Sequence, residues 1–231
     1  MKLFFKKKIK NQYGLVVDEK HINTCLDYTL LEQAATKKDL EKFLCVAYKI
    51  KAYAVCVNPI NVYFVKRYIE FKFKGCIKVG TVIGFPLGES TTETKVFEIK
   101  NAIKNGADEF DVVLPIGKIK EGDFLFVKQE LVKLRRATKH KVLKVVVETP
   151  LLTRQELEKV SQLCAKCKVD FIMTCSGYSG GGATPEDIET IRLAIKNKCG
   201  IKASGGIETK AQVALLLRAG ATRFGTSREI L

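Results

Sequence analysis

Val169-Asp170-Phe171-Ile172-Met173-Thr174-Cys175-Ser176-Gly177-Tyr178-Ser179-Gly180-Gly181-Gly182-Ala183-Thr184-Pro185 passes from strand to loop to helix in one sweep. Asp170 to Thr174 reads as a buried parallel strand. The glycines read as a loop. Thr184-Pro185-Glu186-Asp187 opens a helix, with Thr184 as N-cap and Pro185 in the first turn. A strand, a small-residue loop and a helix N-terminus in that order are how α/β proteins hold an anionic ligand.

Outward from this unit the same pattern recurs. Apolar strands are expected at Asn23–Thr29, Ala52–Val57, Lys78–Phe85, Glu109–Leu114 and Val142–Val147 before it, and at Gly200–Ser204 and Thr222–Gly225 after it. Helices are expected between them: from Thr36 to about Ile50, Asn61 to Phe71, Thr92 to Gly106, Asp123 to Thr138, and Thr209 to Ala219. Another begins at the Thr153-Arg154-Gln155-Glu156 capping box. Eight strand–helix alternations in this length predict an α/β fold, a single (β/α)8 TIM barrel, rather than an open doubly wound sheet. No GxGxxG follows the first strand, which counts against a dinucleotide fold. We expect one domain over residues 1–231, with residues 1–20 as a basic N-terminal segment.

Composition bounds the function. Of 231 residues 46% are hydrophobic, enough for a sizeable core, and no apolar run reaches 18 residues. The start, Met1-Lys2-Leu3-Phe4-Phe5-Lys6-Lys7-Lys8, does not read as a secretory signal. Eight cysteines scattered through apolar segments suit reduced, buried thiols and a cytoplasmic location. Cys164-Ala165-Lys166-Cys167 has no second pair nearby and reads as helix-face packing before metal or redox chemistry. The net charge of +15 rests on 32 lysines and only 8 arginines, spread along the chain. That reads as solvated surface, so neither specific nucleic-acid binding nor membrane binding is expected, although polyanions would be attracted.

In such a barrel the site lies at the C-terminal ends of the strands. Polar residues set in apolar strand ends are the candidates: Asp27, Cys56, Asp111, Glu148, Thr174 and Lys202. Asp111 suits a proton relay or the orienting of an amine, or else pairing with a lysine inside the barrel. Lys202 cannot easily reach outer solvent. Burial and a second ammonium would lower its pKa and free the amine. Gly177, Gly180-Gly181-Gly182, Gly205-Gly206 and Gly225-Thr226-Ser227 offer backbone donors to a phosphate monoester at the ends of three strands.

These motifs resemble the deoxyribose-phosphate aldolase family, class I aldolases, from about Asn23 to Ser227. The resemblance rests on Leu26-Asp27-Tyr28-Thr29-Leu30-Leu31, Val82-Ile83-Gly84-Phe85-Pro86-Leu87-Gly88, Ala107-Asp108-Glu109-Phe110-Asp111-Val112-Val113, Asp170-Phe171-Ile172, Lys202-Ala203-Ser204-Gly205-Gly206-Ile207 and Arg223-Phe224-Gly225-Thr226-Ser227. It implies reversible cleavage of 2-deoxyribose 5-phosphate to glyceraldehyde 3-phosphate and acetaldehyde through a lysine Schiff base, in deoxyribonucleotide catabolism, with no metal or other cofactor. It implies a phosphosugar as the small-molecule partner and a homodimer as a common assembly. By position, Asp111 and Lys202 match the proton-relay pair. Gly205, Gly206 and Ser227 match the phosphate loops, beside which Gly177 is placed by its own loop. Cys56 and Thr174 match further pocket residues.

One position departs. The family pattern Phe-Ile-Lys-Thr-Ser-Thr-Gly reads here Phe171-Ile172-Met173-Thr174-Cys175-Ser176-Gly177, so Met173 occupies the Schiff-base position. A thioether forms no imine. A deliberate exchange that keeps the pocket's shape and a natural paralogue that has lost the lysine both fit the sequence; relocation of the imine to Lys202 is the third alternative, and it would deprive Lys202 of the second amine that tunes it. Tyr28, where the family has His, and Arg228, where it has a second Ser, depart more softly. Three functions follow: an aldolase impaired at Met173, a non-catalytic phosphosugar-binding or scaffold barrel, and a polyanion-binding basic protein.

Overall fold

A computed structural model describes residues 8–10 and 16–229. Eight parallel strands close into a barrel: β3 (Leu26–Leu30), β4 (Ala54–Val57), β5 (Lys78–Ile83), β6 (Glu109–Val113), β7 (Val142–Val146), β8 (Phe171–Met173), β9 (Gly200–Ser204) and β10 (Arg223–Thr226), which pairs back onto β3. The expected (β/α)8 barrel is therefore what forms. The outer helices are α1 (Lys37–Lys49), α2 (Val62–Phe73), α3 (Thr92–Lys104), α5 (Phe124–Thr138), α6 (Arg154–Lys166), α7 (Pro185–Ile195) and α8 (Lys210–Ala219). A short α4 (Ile116–Lys120), not expected from the sequence, precedes α5.

The helix starts are written in the sequence. Thr36, Thr153 and Thr209 each close a capping box, and Thr91, Asp123 and Thr184 each accept from the backbone N–H three residues on. Each helix buries one stripe. In α6 that stripe is Leu157, Val160, Ser161 and Cys164, spaced at three, four and seven residues. These stripes pack on the outward residues of the strands, such as Val55, Phe110, Val112, Val145 and Ile172, and form the main core between barrel and helices. Each large apolar side chain fully buried there contributes about 1.5–3 kcal/mol.

Part of the basic N-terminal segment forms strands. Lys8–Lys10 (β1) and Val16–Asp18 (β2) pair antiparallel outside the barrel, and the remainder of residues 1–15 lies outside the described residues. The first barrel strand also starts later than the apolar pattern suggests, because residues Glu19–Cys25 coil into a 3-10 turn. The thiols are less uniform than expected: all eight are free, but only Cys56, Cys164 and Cys175 are buried, whereas Cys45 and Cys76 are exposed. Cys164 belongs to the core, and Cys167 caps the end of α6. Among the described residues no group of His, Cys, Asp and Glu could hold a metal, and no helix is long and apolar enough to cross a membrane.

Candidate active site

Strand residues point alternately outward and inward, so the ladder registers decide who meets inside the barrel. Asp111 is the register partner of Lys144, and Lys202 that of both Met173 and Arg223. Asp27, Glu109, Asp111, Lys144, Lys202 and Arg223 all stand inside, none more than slightly exposed. Lys202 Nζ lies 2.6 Å from Asp111 Oδ2 and 2.7 Å from Asp27 Oδ2. Lys144 Nζ reaches Glu109 Oε2 at 2.7 Å, Asp27 Oδ2 at 2.8 Å and Asp111 Oδ1 at 3.0 Å. Arg223 Nη1 reaches Asp27 Oδ1 at 2.7 Å and Glu109 Oε2 at 3.3 Å. Three carboxylates thus face three cations, and the interior is formally neutral.

This network corrects one expectation. Burial by itself would lower the pKa of Lys202, and Lys144 pushes the same way. The carboxylates of Asp111 and Asp27 outweigh both, and Lys202 is held above the ordinary lysine value. It is an ammonium with two anions against it, not a free amine, which argues against relocation of an imine to this residue. Lys144 is raised further, because Asp111, Asp27 and Glu109 together overcome its burial. Burial would push the Asp27 carboxyl up. Lys144, Lys202 and Arg223 reverse that and hold it well below the usual range. Asp111 is lowered for the same reason, by Lys144 and Lys202. The Cys56 thiol lies 3.7 Å from Asp111 Oδ2. Burial and that carboxylate push its pKa up, so it stays a thiol rather than a nucleophilic thiolate.

Met173 lies inside the barrel mouth, 5% exposed, against Val113 and Val146, with Phe85 packed over them. The edge of the Phe85 ring meets Tyr178, 5.2 Å between centroids, which roofs this apolar corner. The strand spacing puts the Met173 backbone about 4.8 Å from that of Lys202. Position 173 therefore faces the ion network with a thioether.

Beside it opens a cavity of about 480 Å³ whose walls include Gly177, Gly205, Gly206, Gly225 and Ser227. Of the glycines expected to hold an anion, Gly177, Gly205, Gly206 and Gly225 are brought together, whereas Gly180, Gly181 and Gly182 are not in the walls, and Gly182 packs against the Gly205 backbone instead. Gly225 lies between the two regions: it lines the cavity, and a Cβ there would stand 3.1 Å from Lys202 Cε and 2.8 Å from Ser204 Oγ, while Lys202 itself stays buried below the walls. Asp111, Met173, Cys56 and Thr174 lie beneath the cavity rather than in its walls. The Thr174 hydroxyl donates to Ser204 O at 2.9 Å and accepts from Ser204 N at 3.0 Å, tying β8 to β9. Glu148 acts on the loop above. Its backbone is left-handed (φ 54°), and its buried carboxylate accepts from Ser176 N at 3.1 and 3.2 Å. That fixes the start of the Ser176–Gly177 turn.

Lys144, Glu109 and Arg223 were not singled out from the sequence. Lys144 carried a signal: it interrupts Val142-Leu143-Lys144-Val145-Val146-Val147 as Lys202 interrupts its own strand. Glu109 and Arg223 start their strands, where a charge ordinarily reads as solvated.

A sequence model of the DeoC/LacD family aldolases matches residues 21–228. A deoxyribose-phosphate aldolase of Finegoldia magna is 42% identical over 209 residues, covering 90% of this chain and 97% of the relative. One from Thermococcus gammatolerans is 44% identical, covering 87% and 90%. Among solved structures, the deoxyribose phosphate aldolase of Aeropyrum pernix, described as having a unique tetrameric structure, superposes with a TM-score of 0.83 at 28% identity. That match covers 90% of this chain and 88% of that one.

Proposed function

The chain belongs to the DeoC/LacD family of aldolases, and on that premise we propose that its barrel takes 2-deoxy-D-ribose 5-phosphate. In this reading it is a carbon–carbon lyase by descent whose own turnover is disabled at Met173. The phosphate sits among Gly177, Gly205, Gly206 and Ser227. The sugar carbonyl is directed toward the barrel mouth at Met173 and Lys202. The Asp111–Lys202 pair is the proton relay that the family resemblance implies, and its 2.6 Å contact suits that role.

The observation that carries the reading is the juxtaposition at position 173. Everything around it is in place: an ion network, a glycine-lined cavity and a neighbouring Lys202. The side chain facing that network is a thioether, which cannot attack a carbonyl carbon. Without an imine there is no electron sink for cleavage of the carbon–carbon bond. The chain then binds the phosphosugar and releases it unchanged. Among the three functions drawn from the sequence, binding without turnover is the one these residues favour.

Eight free thiols support a reducing, cytoplasmic setting. A homodimer also belongs to this reading, and light scattering on the purified chain decides it.

The test is retro-aldol turnover of 2-deoxyribose 5-phosphate, with borohydride trapping read by mass spectrometry, on this chain beside Met173→Lys. The reading expects no turnover and no adduct from the chain itself, with both appearing in the variant. Turnover and an adduct at Lys202 in the unaltered chain would sink it.

A further inference from the structure

The charged side chains around the cavity are mostly of the wrong sign for a phosphate. Glu32, Asp39 and Glu208 are carboxylates, and Arg228 is the single cation among the described lining residues. Asp39 is engaged in the capping of α1, accepting from Thr36 N at 3.0 Å. Glu208 faces Arg228, with 3.8 Å between Arg228 Nε and Glu208 Oε1.

The two backbones are fixed while the two side chains are loose. Thr226 Oγ1 accepts from Arg228 N at 3.0 Å and donates to Ile207 O at 2.8 Å, locking the loop after β10 to the loop after β9. Gln212 Oε1 accepts from Glu208 N at 2.9 Å, which holds Glu208 at the start of α8. Yet the Arg228 and Glu208 side chains are 68% and 63% exposed. A long, solvated ion pair of this kind contributes little and is screened by salt. A guanidinium offered a phosphate gains a planar, bidentate, charge-assisted contact, which is stronger.

The geometry points to Arg228 as the side chain that reads the ligand's phosphate, with Glu208 as a resident competitor that the phosphate displaces. This rests on the phosphosugar reading above and deepens it. The glycine loops supply shape and backbone donors. Among the described lining residues Arg228 supplies the positive side chain, and Glu208 sets how much of its affinity an entering anion receives. Binding is therefore selective for a dianion that can outcompete a single carboxylate.

Calorimetric titration of the full chain with 2-deoxyribose 5-phosphate, in low salt, tests this on Arg228→Ser, Arg228→Lys and Glu208→Gln. All three changes lie on the surface, and unchanged thermal midpoints confirm that each variant is folded. Arg228→Ser is expected to weaken binding by roughly tenfold, and Arg228→Lys by less, because it keeps the charge and loses the fork. Glu208→Gln is expected to tighten binding about threefold, because the competitor is gone. Opposite signs from the two partners distinguish a latch from general loosening of the loop. An Arg228→Ser chain that binds as tightly as the unaltered chain overturns the inference and leaves the phosphosugar reading standing, as does a Glu208→Gln chain that binds more weakly. An unaltered chain that takes up no 2-deoxyribose 5-phosphate overturns both.

Discussion

Replacing Met173 with lysine should create an amine that is neutral near pH 7 and makes the barrel less stable there. The site is buried and bounded by Val113, Val146 and Phe85. Nearby, three carboxylates already face three cations, so a fourth cation would find every carboxylate of this network already paired. Lys202, itself held as an ammonium, is the register neighbour and repels a second positive charge. Burial and like charge both lower an amine's pKa, and for buried lysines the drop reaches about 3–5 units. Starting from about 10.4, a drop of roughly 3.5 units brings the new amine close to pH 7.

Because its folded pKa would lie below the unfolded one, the unfolded chain binds the extra proton between the two values, and stability rises with pH across that window. At about 1.4 kcal/mol per unit, Met173→Lys should cost about 4 kcal/mol at pH 7 and about 2 kcal/mol at pH 9. Urea midpoints at the two pH values measure this directly. Turnover of 2-deoxyribose 5-phosphate and a borohydride-trapped adduct on the new lysine measure whether the free amine is aimed at the ligand. A variant as stable at pH 7 as at pH 9, relative to the unaltered chain, would refute the electrostatic reasoning. A variant that shows the stability shift without an adduct would refute the placement of position 173 at the reacting carbon.

Three other outcomes follow from the same geometry. Asp27→Asn removes an anion that Lys144, Lys202 and Arg223 share, and should cost about 3–5 kcal/mol at neutral pH by urea denaturation. Since the Asp27 carboxyl is held well below its unfolded value, its contribution is complete above about pH 4 and is lost as pH falls below that; the variant should therefore show a flatter acid limb in thermal melts at pH 2–7. In a native thiol titration with a chromogenic disulfide, Cys45 and Cys76 should react first. Cys56, Cys164 and Cys175 should wait for unfolding, since all three are buried and burial pushes Cys175 up to about 11; early labelling of Cys56 or Cys175 would contradict this. Gly225→Ala places a methyl group against Ser204 and the buried Lys202, and should cost about 1–3 kcal/mol and weaken phosphosugar binding in calorimetry.

Local chemistry was legible along the chain. Apolar runs separated by threonine-capped helix starts marked out the barrel, since a strand's period and a helix cap are properties of a few adjacent residues. Elements that depend on competition between neighbours were not: Glu19–Cys25 coils although Asn23–Cys25 continues an apolar strand, and Ile116–Lys120 forms a turn of helix beyond Pro115. Lys202 was recognisable as a buried lysine because it interrupts an apolar strand. Lys144 offered the same signal. The candidate positions Asp27, Cys56, Asp111, Met173 and Lys202 needed no coordinates to be named.

The sequence by itself determined that this is an eight-unit barrel with a thioether at position 173. A side chain's identity and a strand's pattern are local facts. Only the tertiary structure decided the charge state of the site. Lys202 meets carboxylates 91 and 175 residues away, from β6 and β3, and these turn an amine that burial alone would neutralise into an ammonium. Coulomb interactions act through space, and barrel closure, with β10 pairing onto β3, is what brings Arg223 beside Asp27 and completes the balance of charge.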